Sequence, residues 1–211
     1  MLSRKILTRR GRGFRGNFPS RKLGRMVAGE SLTELAAIHL FEFSPGVLSY
    51  REQPAVVQYA DGEVTRDYYP DFEAVFLSGE VIHLEIKTAK ELAKPVAQTK
   101  YRAIAAAYAR RQHGFRILTD VDIWQTPLHQ NLQLLASLLH FRPDASSRAA
   151  WLKRFGKGLI PFASVADQIG EKEVLGLIAW GDAHGNLRQP LDRAALVQLI
   201  DAGGCDATYL L

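Results

Sequence analysis

Apolar residues recur at helical spacing between about residues 30 and 43. Together they form one broad stripe, whose members are Leu32, Leu35, Ala36, His39, Leu40 and Phe43. This spacing predicts an amphipathic helix. The Ser44-Pro45-Gly46 sequence that follows is a typical stop signal, so we expect the helix to end there.

Three strands are expected after this helix. Residues 47–59 have an extended pattern interrupted by Pro54, and Asp61-Gly62 is typical of a hairpin turn. A second strand is predicted over about 65–76, with a turn at 78–79. In the third strand, over 81–87, alternate residues face opposite sides of the sheet. Ile82, Leu84 and Ile86 point one way, and His83, Glu85 and Lys87 point the other.

A long helix over about 95–112 and a strand over 115–120 complete this part of the chain. Pro95 suits the first turn of that helix. The order helix, three strands, helix, strand is typical of a modest α/β sandwich. It matches the shared core of the restriction-endonuclease-like fold, a mixed sheet flanked by helices.

Beyond Pro127 the pattern becomes mainly helical. One helix is predicted to end near Arg142-Pro143, and further helical runs are expected over 148–155, 164–169 and 193–202. This region could form a small winged-helix-like module. We therefore divide the chain into a basic flexible arm (1–28), a catalytic domain (29–126) and a helical C-terminal domain (127–211).

Composition narrows the class of protein. The chain has 211 residues, of which 47% are hydrophobic and 23% are charged, as in ordinary globular proteins. Its one cysteine, Cys205, excludes an internal disulfide framework and a cysteine zinc cluster. No apolar run is long enough to span a bilayer, and the basic N-terminus lacks the apolar stretch of a secretory signal. We expect a cytoplasmic protein. An organelle transit peptide is a weaker alternative, because the arginine-rich start is poor in serine.

Positive charge is concentrated at the N-terminus. The first 25 residues contain nine of the 27 basic residues and no acidic one, which leaves 18 basic and 22 acidic residues elsewhere. Such a segment suits a polyanion, and its binding should weaken with salt. The simpler alternative is a solvated tail that aids solubility. The residues that we expect to contact DNA are Arg9, Arg10, Arg12, Arg15, Arg21, Lys22, Arg25 and, on the long helix, Lys100.

Four side chains have the chemistry of a metal-dependent nuclease. Asp71 follows a proline, Glu85 and Lys87 project from one face of a strand, and Glu34 lies on the first helix. Mg²⁺ prefers oxygen ligands, so Asp71, Glu85, Glu34 and the backbone carbonyl of Ile86 are the expected ligands, with Mn²⁺ as a substitute. Lys87 could orient water or hold a phosphate.

Each of these residues also has a structural interpretation. Asp71 could cap a turn, and Glu85 and Lys87 could form a solvent-facing pair. Glu34 shares its helix face with apolar residues, so it needs a partner or a metal. Glu30, one turn earlier, is a rival for its role. His83 shares the face of Glu85, but a lone histidine is more often structural.

These residues resemble the TnsA-type endonuclease subunit of heteromeric transposases, a member of the PD-(D/E)xK superfamily. The similarity covers about residues 20–120. It lies in Glu30-Ser31-Leu32-Thr33-Glu34, Val47-Leu48-Ser49-Tyr50-Arg51-Glu52-Gln53-Pro54, Tyr69-Pro70-Asp71-Phe72 and Glu85-Ile86-Lys87. The Arg-Glu-Gln-Pro piece is the most telling, because nuclease chemistry alone does not demand it.

The resemblance implies a site and a biological role. The family's catalytic helix glutamate falls on Glu34, its metal-binding aspartate on Asp71 and its final lysine on Lys87. The position two before that lysine can be glutamine in the family and is Glu85 here. The protein would cut DNA at the 5′ ends of a mobile element during cut-and-paste transposition. Its partners would be a TnsB-like transposase, which processes the 3′ ends, and an AAA+ regulator of the TnsC type.

Two other functions remain open from the sequence. One is a repair or recombination nuclease of the same fold that acts without a transposase. The other is a non-catalytic DNA-binding adaptor that keeps the nuclease fold.

Overall fold

The computed structural model describes residues 16–200. Within that range the chain forms eleven strands and eight helices. The strands are β1 (Gly16–Ser20), β2 (Arg25–Gly29), β3 (Val47–Glu52), β4 (Val57–Asp61), β5 (Val64–Tyr68), β6 (Phe72–Phe76), β7 (Val81–Lys87), β8 (Gly114–Thr119), β9 (Ile160–Pro161), β10 (Ala183–Gly185) and β11 (Leu196–Leu199). The helices are α1 (Leu32–Phe43), α2 (Ala89–Leu92), α3 (Pro95–Arg110), α4 (Asp120–Ile123), α5 (Leu128–Ser137), α6 (Ala145–Phe155), α7 (Phe162–Ile169) and α8 (Glu171–Trp180).

A mixed four-stranded sheet forms the centre of the fold, with strand order β3-β6-β7-β8. β6 is antiparallel to both of its neighbours, β3 and β7, whereas β7 and β8 are parallel and are connected through α3. The alternation predicted for β7 separates two cores. Ile82, Leu84 and Ile86 belong to a core shared with α1, and the opposite face meets α3. The predicted restriction-endonuclease-like core is confirmed.

The single strand predicted over 65–76 is wrong, because the structure divides it into β5 and β6. Between them Pro70 has no N–H to donate to a ladder, and the Asp71 carbonyl instead accepts from the backbone N–H of Gln53 at 2.9 Å. The chain therefore leaves the β4–β5 hairpin and enters the central sheet at Phe72. This break places Asp71 at the start of a sheet strand.

Residues 16–28 were expected to be irregular, and this expectation is wrong. β1 and β2 form an antiparallel hairpin whose turn contains Gly24 at φ +62°. The side chains of Phe18 and Val27 face each other across the hairpin and are buried in the core that includes α1. The surrounding basic residues hide this two-residue apolar signal in the sequence. Residues 1–15 lie outside the described part of the chain.

A buried carboxylate attaches the hairpin to α1. Glu42 is 1% exposed and accepts hydrogen bonds from the Ser20 hydroxyl (2.7 Å), the backbone N–H groups of Arg21 (2.9 Å) and Lys22 (3.1 Å), and the Tyr50 hydroxyl (2.8 Å). Four donors satisfy a charge that burial would otherwise penalise. Residues 20–22 of the basic segment are therefore held against α1.

The C-terminal region has the element order of a winged helix. Its order is α6, β9, α7, α8, β10, β11, and its sheet order is β10-β11-β9. The helix predicted over 193–202 is wrong. Val197 and Leu199 are buried with period two in β11, while 201 and 202 lie outside the described residues. In residues 16–200 no helix has both the length and the apolar character needed to cross a membrane.

Candidate functional site

Strand pairing brings Asp71 next to the Glu-Ile-Lys sequence. Phe72 of β6 pairs with Leu84 of β7 in an antiparallel ladder. Asp71, which precedes Phe72, and Glu85, which follows Leu84, therefore lie at the same end of the sheet. The Asp71 carboxylate accepts a hydrogen bond from the Ile86 backbone N–H at 2.8 Å. A hydrogen bond from the backbone of β7 thus holds together two residues that lie fifteen positions apart in the sequence.

The ammonium group of Lys87 lies among three of the oxygens expected to bind metal. Its Nζ is 2.9 Å from Glu85 Oε1, 2.9 Å from the Ile86 carbonyl oxygen and 3.6 Å from Asp71 Oδ2. Burial alone would lower the pKa of Lys87, but the charges of Asp71 and Glu85 together raise it above its ordinary value. The lysine is therefore a cation, and the oxygens around it form a position that favours positive charge.

The Asp71 carboxyl is perturbed in the opposite sense. Burial, and then the negative charge of Glu85, raise the pKa of Asp71 to about 7, against the opposing effects of Lys87 and the Ile86 N–H. Two carboxylates this close disfavour each other's ionisation unless a cation separates them. The site thus holds more negative charge than one ammonium neutralises.

Two tyrosine hydroxyls that the sequence reasoning missed complete the surroundings of Glu85. Tyr68 Oη donates to Glu85 Oε2 at 2.5 Å, and Tyr101 Oη donates to Glu85 Oε1 at 2.6 Å. Tyr68 ends β5 and Tyr101 lies on the second turn of α3. Periodicity placed neither residue beside Glu85, because the contact depends on packing of the hairpin and α3 against the sheet.

Glu34 lies in the first turn of α1, and its carboxylate accepts hydrogen bonds from groups just before that helix. Its carboxylate accepts from the Glu30 backbone N–H at 2.8 Å and from the Ser31 hydroxyl at 3.2 Å. Burial raises the pKa of Glu34, and its charge acts on both Asp71 and Lys87.

The convergence of three acids on one position is not seen in this structure. Residues 16–200 contain no group of three or more His, Cys, Asp or Glu side chains that could hold a metal ion. Two carboxylates and a carbonyl converge instead, around an amine.

His83 has a structural role, as the sequence favoured. Its Nε2 lies 3.0 Å from Glu73 Oε2 and its Nδ1 lies 2.7 Å from the Tyr108 hydroxyl. Arg51 binds the same glutamate through two hydrogen bonds of 2.8 and 3.0 Å. Burial lowers the pKa of His83. These contacts connect Tyr108 of α3 to His83 of β7 and Glu73 of β6.

The Arg-Glu-Gln-Pro segment positions Asp71. Gln53 has a left-handed backbone with φ 40°, and its N–H donates to the Asp71 carbonyl. Its neighbour Glu52 is 4% exposed and accepts a two-pronged contact from Arg25 (2.8 and 2.5 Å) and a bond from the Ala28 N–H (3.1 Å). This segment therefore connects the β1–β2 hairpin to the candidate site.

Several residues expected to contact DNA have other partners. The Lys22 ammonium donates to the carbonyls of Phe41 (2.9 Å), Ser44 (2.6 Å) and Val47 (2.5 Å). Burial lowers its pKa to about 7. These contacts satisfy carbonyls at the end of α1 and use all three ammonium donors. The predicted contact between Lys22 and a DNA phosphate is therefore wrong.

The remaining predicted DNA contacts differ in position. Arg25 is engaged by Glu52, and the Arg21 guanidinium covers Gly181 in the C-terminal region. Lys100 is exposed and lies over the rings of Tyr68 (5.9 Å) and Tyr101 (5.3 Å), so it borders the candidate site. The other four predicted contacts, Arg9, Arg10, Arg12 and Arg15, lie outside the described residues.

An aspartate at a strand start, opposite a Glu-x-Lys strand in a mixed sheet, defines the core of the PD-(D/E)xK class of nucleases. Residues 44–120 match the family model described as TnsA-like endonuclease N terminal. This segment is therefore similar to the N-terminal domain of TnsA-like endonucleases. The matched segment contains Asp71, Glu85 and Lys87 and ends just after β8, whereas Glu34 lies before it. No curated protein matches the chain.

Proposed function

We propose that the protein is a Mg²⁺-dependent DNA endonuclease that acts as the 5′-end-cutting subunit of a heteromeric transposase. The observation that carries this proposal is the Lys87 ammonium among the oxygens of Asp71, Glu85 and Ile86. The family match over 44–120 supports a nuclease related to transposase endonucleases.

The donor set fits a hard divalent cation. Two carboxylates and a carbonyl are the oxygen ligands that Mg²⁺ prefers, and the ammonium stands in for a cation at that position. Asp71, Glu85 and the Ile86 carbonyl would hold Mg²⁺, or Mn²⁺ in its place, and Glu34 would support the metal or its water. When bound, the ion supplies stabilisation for the extra negative charge on phosphorus and lowers the pKa of bound water.

The chain's own residues have distinct tasks in this proposal. Lys87 holds a phosphate oxygen or orients the attacking water once it leaves its present contacts. Its ammonium stays charged because two carboxylates surround it. Asp71 is fixed through both its backbone carbonyl and its side chain, so it keeps its position when DNA binds. Lys100 lies at the border of the site and contacts the DNA backbone together with the basic arm.

The proposed partners follow from the matched family. They are DNA at the transposon ends, a TnsB-like transposase and an AAA+ regulator of the TnsC type. A repair nuclease of the same fold would use the same site without these partners. A non-catalytic adaptor would not need the buried acid–lysine cluster, which therefore favours an enzyme.

Cleavage of transposon-end DNA tests the proposal. The full-length protein, assembled with its transposase, is incubated with end-labelled DNA in Mg²⁺, and nicking at the 5′ ends is measured. Lys87→Ala should abolish nicking but leave DNA binding largely intact, while Lys90→Ala, at an exposed lysine three residues later, should cut normally. Full cleavage by Lys87→Ala would remove Lys87 from the mechanism.

The non-catalytic adaptor is tested separately by calorimetry. Wild-type protein should bind Mg²⁺ or Mn²⁺, and Asp71→Asn should bind either ion more weakly. An absence of binding in the wild type would favour the adaptor.

A further inference from the structure

We infer that Tyr68 and Tyr101 are positioning residues that fix the orientation of the Glu85 carboxylate for metal binding. This inference rests on the proposed function, because it assigns Glu85 as a metal ligand. The observation that carries it is the pair of hydroxyls on the two oxygens of one buried carboxylate.

The two hydroxyls hold Glu85 from two elements outside the central sheet. Tyr68 donates to Oε2 from the end of β5, and Tyr101 donates to Oε1 from α3. A carboxylate bonded at both oxygens cannot rotate about its last torsion without breaking at least one bond. The plane of the Glu85 carboxylate is therefore set by the packing of the hairpin and α3.

The number of acceptor positions limits how Glu85 can bind a cation. A carboxylate has about four lone-pair positions, two on each oxygen. Oε1 accepts from Tyr101 and Lys87, whereas Oε2 accepts only from Tyr68 among the described residues. With both tyrosines in place Oε2 keeps one open position, and Oε1 opens only when Lys87 moves. The tyrosines therefore leave at most one open position on each Glu85 oxygen for a cation.

The hydroxyls also remain donors under all ordinary conditions. Tyr68 and Tyr101 are 4% and 7% exposed, and Glu85 is 4% exposed. A tyrosine hydroxyl keeps its proton at neutral pH, since its ordinary pKa is about 10. A protonated phenol next to a carboxylate can only donate, so the direction of both hydrogen bonds is fixed.

A third tyrosine separates this role from ordinary packing. Tyr108 belongs to the same buried cluster, lies in T-shaped contact with Tyr68 at 6.4 Å, and is 1% exposed. Its hydroxyl contacts His83 and not Glu85. Removal of its hydroxyl disturbs the same core but leaves the carboxylate contacts in place, so Tyr108→Phe is a matched control.

Metal binding by phenylalanine variants tests the inference. Mn²⁺ affinity is measured by calorimetry on full-length wild type, Tyr68→Phe, Tyr101→Phe and Tyr108→Phe, and thermal unfolding is followed on the same samples. Partners that orient metal-binding carboxylates typically contribute tenfold or more to affinity. We expect Mn²⁺ affinity to fall about tenfold in Tyr68→Phe and in Tyr101→Phe, and to stay near wild type in Tyr108→Phe. A Glu85→Gln background should remove the effect of Tyr68→Phe.

The outcomes separate this inference from the proposed function. Binding that Asp71→Asn does not weaken would contradict the proposed metal site itself. Binding that is lost in Asp71→Asn but unchanged or tighter in both Glu85-facing phenylalanine variants would overturn the positioning role alone. An equal loss of Mn²⁺ affinity in Tyr108→Phe would also overturn the positioning role, because removal of a hydroxyl that does not contact Glu85 would then weaken binding as much. Should Tyr68→Phe fail to fold, Tyr101→Phe decides by the same criteria.

Discussion

Replacement of Lys87 by methionine removes the positive charge from the centre of the site and keeps most of the side-chain volume. In the metal-free protein, Asp71 and Glu85 then face each other without the ammonium that lies 3.6 and 2.9 Å from them. We expect the variant to be less stable than wild type in EDTA, and to recover stability when a divalent cation is added.

The structure sets the magnitude of this loss. Removal of one partner from a buried ion pair typically costs 3–5 kcal/mol, about half of which we expect here, because the Lys87 side chain is 30% exposed and solvent screens it. A loss of about 2 kcal/mol corresponds to a fall in Tm of about 4–8 °C for a chain of this size.

Thermal unfolding at pH 8 measures the effect, because the Asp71 carboxyl, whose pKa is raised to about 7, is then mostly ionised. Wild type and Lys87→Met are compared in EDTA and in millimolar Mn²⁺, with Lys90→Met as a control at an exposed lysine of α2. Mn²⁺ should raise the Tm of Lys87→Met by more than that of wild type, since the ion restores the missing charge and binding stabilises the folded state.

Two results would refute this reasoning. One is a Tm of Lys87→Met in EDTA equal to that of wild type and Lys90→Met. The other is a smaller Mn²⁺ shift in Lys87→Met than in wild type, because the ammonium would then assist cation binding rather than occupy the cation position.

Three further predictions concern the supports of the site. Relative to Asp71→Asn, wild type in EDTA should lose stability as pH rises from 5 to 8. The folded carboxyl keeps its proton up to about pH 7, whereas the unfolded one loses it near its ordinary pKa of 3.8. Urea midpoints at each pH check this, and a difference between the two proteins that does not change with pH would contradict it. Lys22→Met should lower the free energy of unfolding in urea by about 2 kcal/mol, because three carbonyls lose their donor. A loss no larger than that of Lys90→Met would show that these three hydrogen bonds do not stabilise the fold. Gln53→Val should weaken Mn²⁺ binding and lower the free energy of unfolding by about 1–2 kcal/mol, because the φ of 40° at this position disfavours a branched side chain. Gln53→Gly, which accepts this φ, should fold normally. Equal Mn²⁺ affinity and stability of the two variants would exclude backbone strain as the cause.

Local patterns predicted the parts of the fold that depend on local forces. The existence of α1, the alternation of β7 and the turn at Gly62 follow from periodicity and backbone preference, and they appear in the structure nearly as expected. The predicted apolar stripe of α1 is only partly correct, because Leu32 is exposed whereas Ile38 and Phe41, outside the stripe, are buried. The alternation placed Glu85 and Lys87 on one face, and the Pro70-Asp71 motif indicated Asp71. The structure therefore brings together three of the four predicted catalytic side chains, Asp71, Glu85 and Lys87.

Contacts between distant segments could not be predicted in this way. Tyr68 and Tyr101 meet Glu85 only after the hairpin and α3 pack on the sheet, and nothing in their local sequences indicates the contact. The position of Lys22 among arginines predicts a DNA contact, but its ammonium instead has three backbone carbonyl partners. The 193–202 segment has helical composition, yet Val197 and Leu199 gain more by pairing within a sheet.

A crystal structure of the protein soaked in Mn²⁺ tests the central claim most directly, because the ion can be located by its anomalous scattering. The account predicts one ion about 2 Å from oxygens of both Asp71 and Glu85, with the Lys87 ammonium displaced from the Ile86 carbonyl. An ion bound elsewhere, or Lys87 still among those oxygens at saturating Mn²⁺, would contradict it.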